Sequence, residues 1–263
     1  MPAGLDGHVA IVTGAGKGIG EAIAHALAAA GARVAVTSRV AADAERVATS
    51  LGPGHLGLGL DVRSSAAVDE AVTAAAGSLG TPTILVNNAG VNRLGPSESY
   101  PDDDWELVLD VNLTGVFRCC RTVGGRMLEA GHGSIVNVAS IVGASVGMPW
   151  RAPYAASKAG VVGLTRTLAV EWADRGVRVN ALLPGPVQTS MVAEAIASGA
   201  VDEQQVVDHT PAGRFGLPSD IADAVVLLCA PGARFVTGQA LVVDGGYSTF
   251  GSAHPASRRF GET

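Results

Sequence analysis

Tyr154 and Lys158 stand four residues apart in the stretch Tyr154-Ala155-Ala156-Ser157-Lys158. On a helix that spacing sets both side chains on one face, one turn apart. An ammonium beside a phenol favours phenolate and lowers a pKa that is ordinarily about 10. The phenol then serves as a general acid or base near neutral pH. Taken alone the pair is weak evidence, because a tyrosine and a lysine at this spacing are common on solvated helix faces. A second constellation lies near the N-terminus, where Thr13-Gly14-Ala15-Gly16-Lys17-Gly18-Ile19-Gly20 follows an apolar run and opens a helical pattern. Glycines there permit a tight turn and close approach of backbone to a pyrophosphate, and a helix N-terminus offers free N–H groups and positive dipole. Gly14, Lys17, Gly18, Ile19 and Gly20 are the candidate contacts of a dinucleotide. A P-loop is excluded: Ile11 stands where its first glycine belongs, and Gly18 where Ser or Thr would hold magnesium.

The end of the second strand discriminates between nicotinamide cofactors. An acidic residue there suits the ribose 2′-hydroxyl of NAD, whereas Arg accommodates a 2′-phosphate. This chain carries Thr37-Ser38-Arg39 and no carboxylate until Asp43. Ser38, Arg39 and Lys17 suit a dianionic phosphate, so NADP(H) is expected over NAD(H). The ordinary alternative is that Arg39 and Lys17 are solvated surface charges.

These residues need a scaffold. Short continuous apolar runs at His8–Thr13, Arg33–Thr37, His55–Leu60, Thr83–Asn87, Ser134–Ala139, Arg178–Leu183 and Ala240–Val243 read as strands buried on both faces. Helical patterns fill 18–30, 41–51, 65–78, 103–130, 154–175 and 219–230. Six βα repeats and a last strand predict an α/β chain: one doubly wound Rossmann domain, with a seven-stranded parallel sheet flanked by helices on both faces. The 263 residues fit one domain, with no linker or low-complexity stretch. The cofactor half is expected over about 7–140, the catalytic and substrate half over about 140–250, and a tail over 251–263. The longest irregular segment, 186–217, should lie at the carboxyl ends of the strands, where ligands bind.

Composition narrows the classes. Apolar residues are 48% but aromatics only 4%, so Ala, Val, Leu and Gly build the core. A net charge of −6 speaks against a nucleic-acid partner. Cys119, Cys120 and Cys229 have neither disulfide nor metal spacing, and the scattered histidines form no His-x-x-x-His pair. No metal is expected. No apolar run approaches the ~18 residues of a membrane span, and the N-terminus lacks a signal pattern. A cytoplasmic chain without membrane association is expected.

Together these motifs make the chain resemble the short-chain dehydrogenase/reductase family in its short single-domain branch, over Gly7 to Tyr247. Thr13-Gly14-x3-Gly18-x-Gly20 matches the family's cofactor loop, and Asn87-Asn88-Ala89-Gly90 the motif after strand four. Asn112, Ser140, Tyr154 and Lys158 match its catalytic tetrad in order and spacing. Pro184-Gly185-Pro186-Val187-Gln188-Thr189 matches the nicotinamide segment, and Asp61-Val62 the adenine contact. The resemblance implies Tyr154 as proton donor or acceptor, with Lys158 lowering its pKa and holding the ribose. It implies Ser140 on the substrate oxygen, Asn112 holding a water that links Lys158 to solvent, and Thr189 with the Val187 backbone orienting the carboxamide. Asn88, Ala89, Gly90, Pro184 and Gly185 complete the cofactor contacts. It also implies a homotetramer through the helices at 103–130 and 154–175 and the last strand.

Substrate choice is expected from Asn92-Arg93, Val142, Gly147–Arg151 and the lid after Pro186; Asn92, Val142, Met148 and Trp150 are the candidate contacts. Arg93 or Arg151 is a possible handle for a carboxylate or phosphate. The expected reaction is hydride transfer between NAD(P) and a ketone or secondary alcohol, such as a polyol or sugar. One alternative is 3-oxoacyl-[acyl-carrier-protein] reduction, against which Leu128-Glu129-Ala130-Gly131-His132 lacks a basic docking cluster, although Arg126 and Arg175 remain. A second is a dinucleotide-binding sensor without turnover, which all four filled catalytic positions disfavour.

Overall fold

Strand and helix alternate along the chain in a computed structural model that describes residues 4–197, 199 and 201–251. The first half holds β1 (Val9–Val12), α1 (Gly18–Ala29), β2 (Arg33–Ser38), α2 (Ala41–Leu51), β3 (Leu56–Gly59), α3 (Ser65–Leu79), β4 (Ile84–Asn87), α4 (Asp102–Leu109) and α5 (Gly115–Ala130). The second half holds β5 (Gly133–Val138), α6 (Ile141–Ala144), α7 (Ala152–Trp172), β6 (Val177–Pro184), α8 (Ser190–Ala197), α9 (Glu203–His209), α10 (Pro218–Cys229) and β7 (Ala240–Val243). The seven strands form one sheet in the order β3-β2-β1-β4-β5-β6-β7, every pair parallel. The chain is the doubly wound α/β domain expected. Its strand order reverses between β1 and β4, and there the loops leaving the two strands part to open a crevice.

Side chains alternate across a strand, so each central strand feeds two cores. Val9 and Ile11 of β1 join Val68 and Val72 of α3, Val123 of α5 and Val161 of α7 on one face. Ala10 and Val12 join Ile23 and Leu27 of α1, Val47 of α2 and Val225 of α10 on the other. The three cysteines are buried and unpaired among the described residues, and burial pushes their thiols well above the ordinary range. They act as small apolar residues.

Four sequence expectations need correction. β3 and β7 are edge strands and only half-buried, because each has a neighbour on one side alone. The helix expected over 103–130 is interrupted at Asp110–Thr114 by a π-helical turn, in which the Gly115 N–H reaches back five residues to the Asp110 carbonyl. The extra residue places Asn112 fully inside the protein. The helix expected from 154 begins at Ala152, with Pro153 pre-set in its first turn. The segment 186–217 is more regular than its composition implies, since it carries α8 and α9. Of the tail, residues 252–263 lie outside the described residues.

Candidate active site

The Thr13 hydroxyl, just past β1, accepts the N–H groups of Asn88 at 3.0 Å and Ala89 at 3.1 Å, just past β4. In return the Asn88 side-chain amide donates to the carbonyls of Thr13 (3.1 Å) and Gly14 (3.0 Å). The loop is therefore locked to β4 before any ligand arrives. Gly14 has φ +63°, and a Cβ there would lie 2.7 Å from the Ala89 Cα. A Cβ on Gly20 would lie 2.5 Å from both the Asn88 amide nitrogen and the Gly14 carbonyl. Both positions require glycine. α1 opens at Lys17 with no side-chain cap, so its first N–H groups remain available to an anion. The donors and the closeness of the backbone fit a pyrophosphate.

The rim of this loop holds the other candidate cofactor residues. Lys17 and Arg39 are exposed, and neither forms an ion pair among the described residues. Ser38 is half-buried, and its hydroxyl accepts the Val40 N–H at 3.3 Å. Asp61 is held by Arg63, Oδ2 to guanidinium at 2.6 Å, and that partner keeps its carboxyl below the ordinary range. Val62 is buried against the start of α5, where a Cβ on Gly115 would touch it. Ile19 packs on the core beneath the loop. On the far side, the stretch after β6 is pinned by a short parallel bridge between Val187 and Gly216. Gly185 donates to the Val243 carbonyl at 3.0 Å, which fixes the exit from Pro184. Thr189 accepts the Val192 N–H at 3.3 Å, capping α8, and its methyl lies 3.9 Å from where a Gly18 Cβ would stand. The stretch after β6 thus approaches the glycine loop at Gly18.

The four catalytic candidates come from three places in the fold, the π-helical turn (Asn112), the end of β5 (Ser140) and α7 (Tyr154, Lys158). A Cβ on Gly90 would lie 3.4 Å from Asn112 Oδ1 and 3.7 Å from Lys158 Nζ. Lys158 is buried, and Nζ donates to the Val138 carbonyl at 2.7 Å. It also lies 5.6 Å from the centre of the Tyr154 ring. Burial pulls the Lys158 ammonium down from 10.5 to about 8. The Ser140 hydroxyl accepts the Val142 N–H at 3.1 Å, opening the distorted turn α6.

Tyr154 departs from expectation. Burial pushes its phenol above the ordinary value of 10; the Ser140 hydroxyl and then the Arg151 charge oppose that rise without cancelling it. A buried phenolate loses more hydration than these neighbours return. The Asn112 amide works as a clamp. Oδ1 accepts the Val91 N–H at 2.8 Å, while Nδ2 donates to the Val91 carbonyl at 2.9 Å and to Ser157 Oγ at 3.2 Å. Both amide protons are spent on protein, and the side chain fixes the loop after β4.

The substrate candidates divide. Val142 is buried, and Met148 packs on the same cluster as Tyr154. Asn92 Oδ1 is buried without a hydrogen-bond partner, an acceptor left open beside the clamped Val91. Trp150 stands out at the rim, 62% exposed, and its carbonyl accepts the Gly95 N–H at 3.2 Å. Of the two possible anion handles, Arg93 is drawn to Asp104 at 3.6 Å. Arg151 forms no ion pair among the described residues.

Three positioning residues escaped the sequence reading. Thr13 stood in the motif, yet its hydroxyl carries the β1–β4 lock. Ser157 sits within the Tyr154–Lys158 stretch; it donates to the Tyr154 carbonyl at 2.7 Å and receives Asn112. Arg46, on α2, donates to the Gly16 carbonyl at 2.7 Å and pairs with Glu21 at 2.9 Å. Nothing in the spacing announces Arg46, because it is thirty residues from the loop it braces.

A parallel sheet with a phosphate-binding turn at its switch point, and a tyrosine–lysine–serine cluster at the same crevice, defines a nicotinamide-dependent oxidoreductase. The family profile described as enoyl-(acyl carrier protein) reductase matches residues 14–248. The D-threitol dehydrogenase of Mycolicibacterium smegmatis is 46% identical over 93% of this chain and 94% of its own. The galactitol 2-dehydrogenase (L-tagatose-forming) of Cereibacter sphaeroides is 44% identical over 94% and 97%. The crystal structure of a gluconate 5-dehydrogenase from Burkholderia cenocepacia J2315 in complex with NADP and tartrate superimposes with a TM-score of 0.89, at 35% identity, over 94% and 98%. The chain belongs to the short-chain dehydrogenase/reductase family.

The buried ammonium makes a pH prediction that needs no substrate. With its pKa lowered to about 8 in the fold against 10.5 ordinarily, Lys158 binds fewer protons folded than unfolded between those values. Stability therefore carries the full penalty below pH 8 and regains it as pH rises toward 10.5. Lys158→Met should stabilise the fold at pH 7 by about 3 kcal/mol at most. Urea unfolding should show that advantage shrinking steadily above pH 8; a pH-independent difference would contradict a buried charge.

Proposed function

We propose that the chain interconverts a polyol or sugar alcohol and its ketone, with Tyr154 as the acid/base. The observation that carries this reading is the cluster of Lys158 Nζ, 5.6 Å from the Tyr154 ring and beside Gly90, with Ser140 hydrogen-bonded to the Tyr154 phenol. When bound, a nicotinamide supplies or accepts the hydride at carbon. In reduction the Tyr154 hydroxyl donates its proton to the carbonyl oxygen, and the Ser140 hydroxyl donates a hydrogen bond to the same oxygen as negative charge grows there. In oxidation the Tyr154 phenolate takes the hydroxyl proton while the carbon gives up its hydride. Lys158 supports phenolate electrostatically and holds the ribose hydroxyls. The phosphate loop, Asp61, Val62, Asn88, Ala89 and Gly90 hold the rest of the dinucleotide, and Val187 and Thr189 orient the carboxamide. Because the phenol is raised, the site at neutral pH holds the proton that reduction needs, and oxidation should quicken as pH climbs toward the Tyr154 pKa.

The polyol class is supported by two relatives that are polyol dehydrogenases by name, and by the unpartnered buried acceptor of Asn92. The NADP(H) preference is supported by Lys17 and Arg39, which form no ion pair among the described residues, and by the solved relative bound to NADP. A homotetramer is supported by apolar side chains exposed on the expected contact elements: Phe117 on α5, Val170 on α7 and Val242 on β7. No helix among the described residues is long and apolar enough to cross a membrane.

Three measurements test the reading. Tyr154→Phe should lower turnover by about 10²–10⁴-fold while retaining cofactor binding; activity above about a hundredth of wild type would remove the acid/base assignment. A screen of polyols, sugars, sugar acids and 3-oxoacyl thioesters, followed at the nicotinamide absorbance, should return a polyol, whereas thioester turnover would favour the carrier-protein reading. NADPH should show the higher kcat/KM, and Arg39→Gln should reduce that for NADPH by about tenfold with little change for NADH; preference for NADH would reverse the cofactor assignment.

A further inference from the structure

Five of the six asparagines spend their amides on protein. Asn87 donates to Asn137 at 2.8 Å, Asn137 to Thr165 at 2.9 Å, and Asn88 to the carbonyls of Thr13 and Gly14. Asn112 clamps Val91, and Asn180 donates to the Val236 carbonyl at 2.9 Å while accepting the Gln239 N–H at 3.1 Å. Asn92 is the exception. Its Oδ1 is buried without a partner, and its amide makes no hydrogen bond among the described residues. Asn87 Oδ1 is also unpartnered, but that side chain lies in the core with its Nδ2 engaged. A buried acceptor left unpaired costs free energy, so the fold retains this one against its own stability.

The backbone on either side fixes where the Asn92 amide stands. Gly90 comes two residues earlier, and a Cβ there would lie 3.7 Å from Lys158 Nζ. Two residues of chain span at most about 7 Å. Val91 is held by Asn112 through both its N–H and its carbonyl. Beyond Asn92, the Arg93 carbonyl accepts the Tyr100 hydroxyl at 3.1 Å, and the Gly95 N–H donates to the Trp150 carbonyl at 3.2 Å. Trp150 precedes Tyr154 by four residues. It has φ +62°, the only non-glycine residue in the left-handed region among those described, a conformation unfavourable for a bulky side chain. Residues 90–95 are thus a strap with one end beside Lys158 and the other tied to the turn that leads into α7. Asn92 occupies its middle, fixed in backbone and unspent in side chain.

We propose that Asn92 is the specificity-determining residue for the hydroxyl next to the reacting carbon. The inference rests on the polyol reading and deepens it. Tyr154 and Ser140 act on the reacting oxygen, which every secondary alcohol possesses, so they do not tell a polyol from a simple alcohol. A carboxamide offers an acceptor and a donor together, and a hydroxyl both donates and accepts. A polyol whose second hydroxyl donates to Asn92 Oδ1 satisfies the open acceptor. A simple alcohol covers it and leaves it unpaired, and that asymmetry discriminates. The neighbouring Arg93 does not compete for this role: it is drawn to Asp104 at 3.6 Å, and a guanidinium suits an acid rather than a neutral hydroxyl.

The test compares wild type, Asn92→Leu and Asn92→Asp in the oxidation of D-threitol and of butan-2-ol, which keeps the secondary alcohol on a chain of equal length and lacks the neighbouring hydroxyls. Leucine has nearly the shape of asparagine without its polar atoms. In Asn92→Leu, kcat/KM for D-threitol should fall about tenfold while that for butan-2-ol holds or rises, so the ratio between the two falls. Asn92→Asp keeps an acceptor and should keep most of the preference. Two further readouts need no alcohol. NADPH binding, followed by its fluorescence, should be unchanged in both variants. Urea unfolding should show Asn92→Leu at least as stable as wild type, because the substitution removes an unpartnered buried acceptor. An equal fall for both alcohols would overturn the proposal. So would a loss confined to NADPH binding, or a destabilised Asn92→Leu, either of which would make the amide a cofactor or structural group. A wild type that oxidises neither D-threitol nor any other polyol would remove the polyol reading and this role with it. A wild type that oxidises D-threitol, with a preference over butan-2-ol unmoved by Asn92→Leu, would remove only the role of Asn92.

Discussion

The Thr13 hydroxyl accepting the Asn88 and Ala89 N–H groups, with the Asn88 amide donating back to Thr13 and Gly14, joins two strands whose helices run to opposite faces of the sheet. At that point parallel pairing continues, but the loops diverge, and polar backbone is left at the bottom of an open crevice. The four bonds satisfy it without closing the space above. Gly14 and Gly20 then bring backbone to backbone where any side chain would collide. Had the loop folded independently of β4, the free N–H groups of α1 would have no fixed relation to Gly90, and so none to Lys158.

From that lock the second half of the site is assembled by one amide. Asn112 holds both polar groups of Val91 and touches Ser157, which in turn holds the Tyr154 carbonyl. The π-helical turn is what sends this amide inward. A regular helix through Asp110–Thr114 would rotate the residue relative to the sheet and break the chain of contacts between β4 and α7. Catalytic geometry in this protein thus depends on neutral hydrogen bonds, while the charges sit around them. Lys158 is buried at a cost in charge, and Asn92 Oδ1 is buried without a partner. Those are strains that a fold selected for stability alone would not contain.

The legible part of the site was the part written as local sequence. Tyr154 and Lys158, and the glycine turn at 14–20, announce their chemistry through spacing along one helix or one loop. The strands were legible because continuous apolar runs suit a sheet covered on both faces, and they were over-read at β3 and β7, where the edge removes one neighbour. Other features were invisible for a common reason. The braces Arg46–Gly16 and Asn112–Val91, and the interruption at Asp110–Thr114, bring together groups 21 to 30 residues apart or depend on how one helix sits against another. The direction of the Tyr154 shift was misjudged because an i, i+4 pair reports proximity and says nothing about hydration.

The amino-acid sequence by itself determined the order of strands and helices along the chain, the glycine turn at 14–20 and the one-turn spacing of Tyr154 and Lys158. Each follows from periodicity, glycine placement or helical spacing, which are properties of neighbours in the chain. Tertiary structure alone decided that Lys158 is buried and desolvated, which carboxylates are already paired, and which buried polar atoms are left without a partner. Those are questions of burial and distance, and both exist only once the sheet, the crevice and the helices around it have closed on one another.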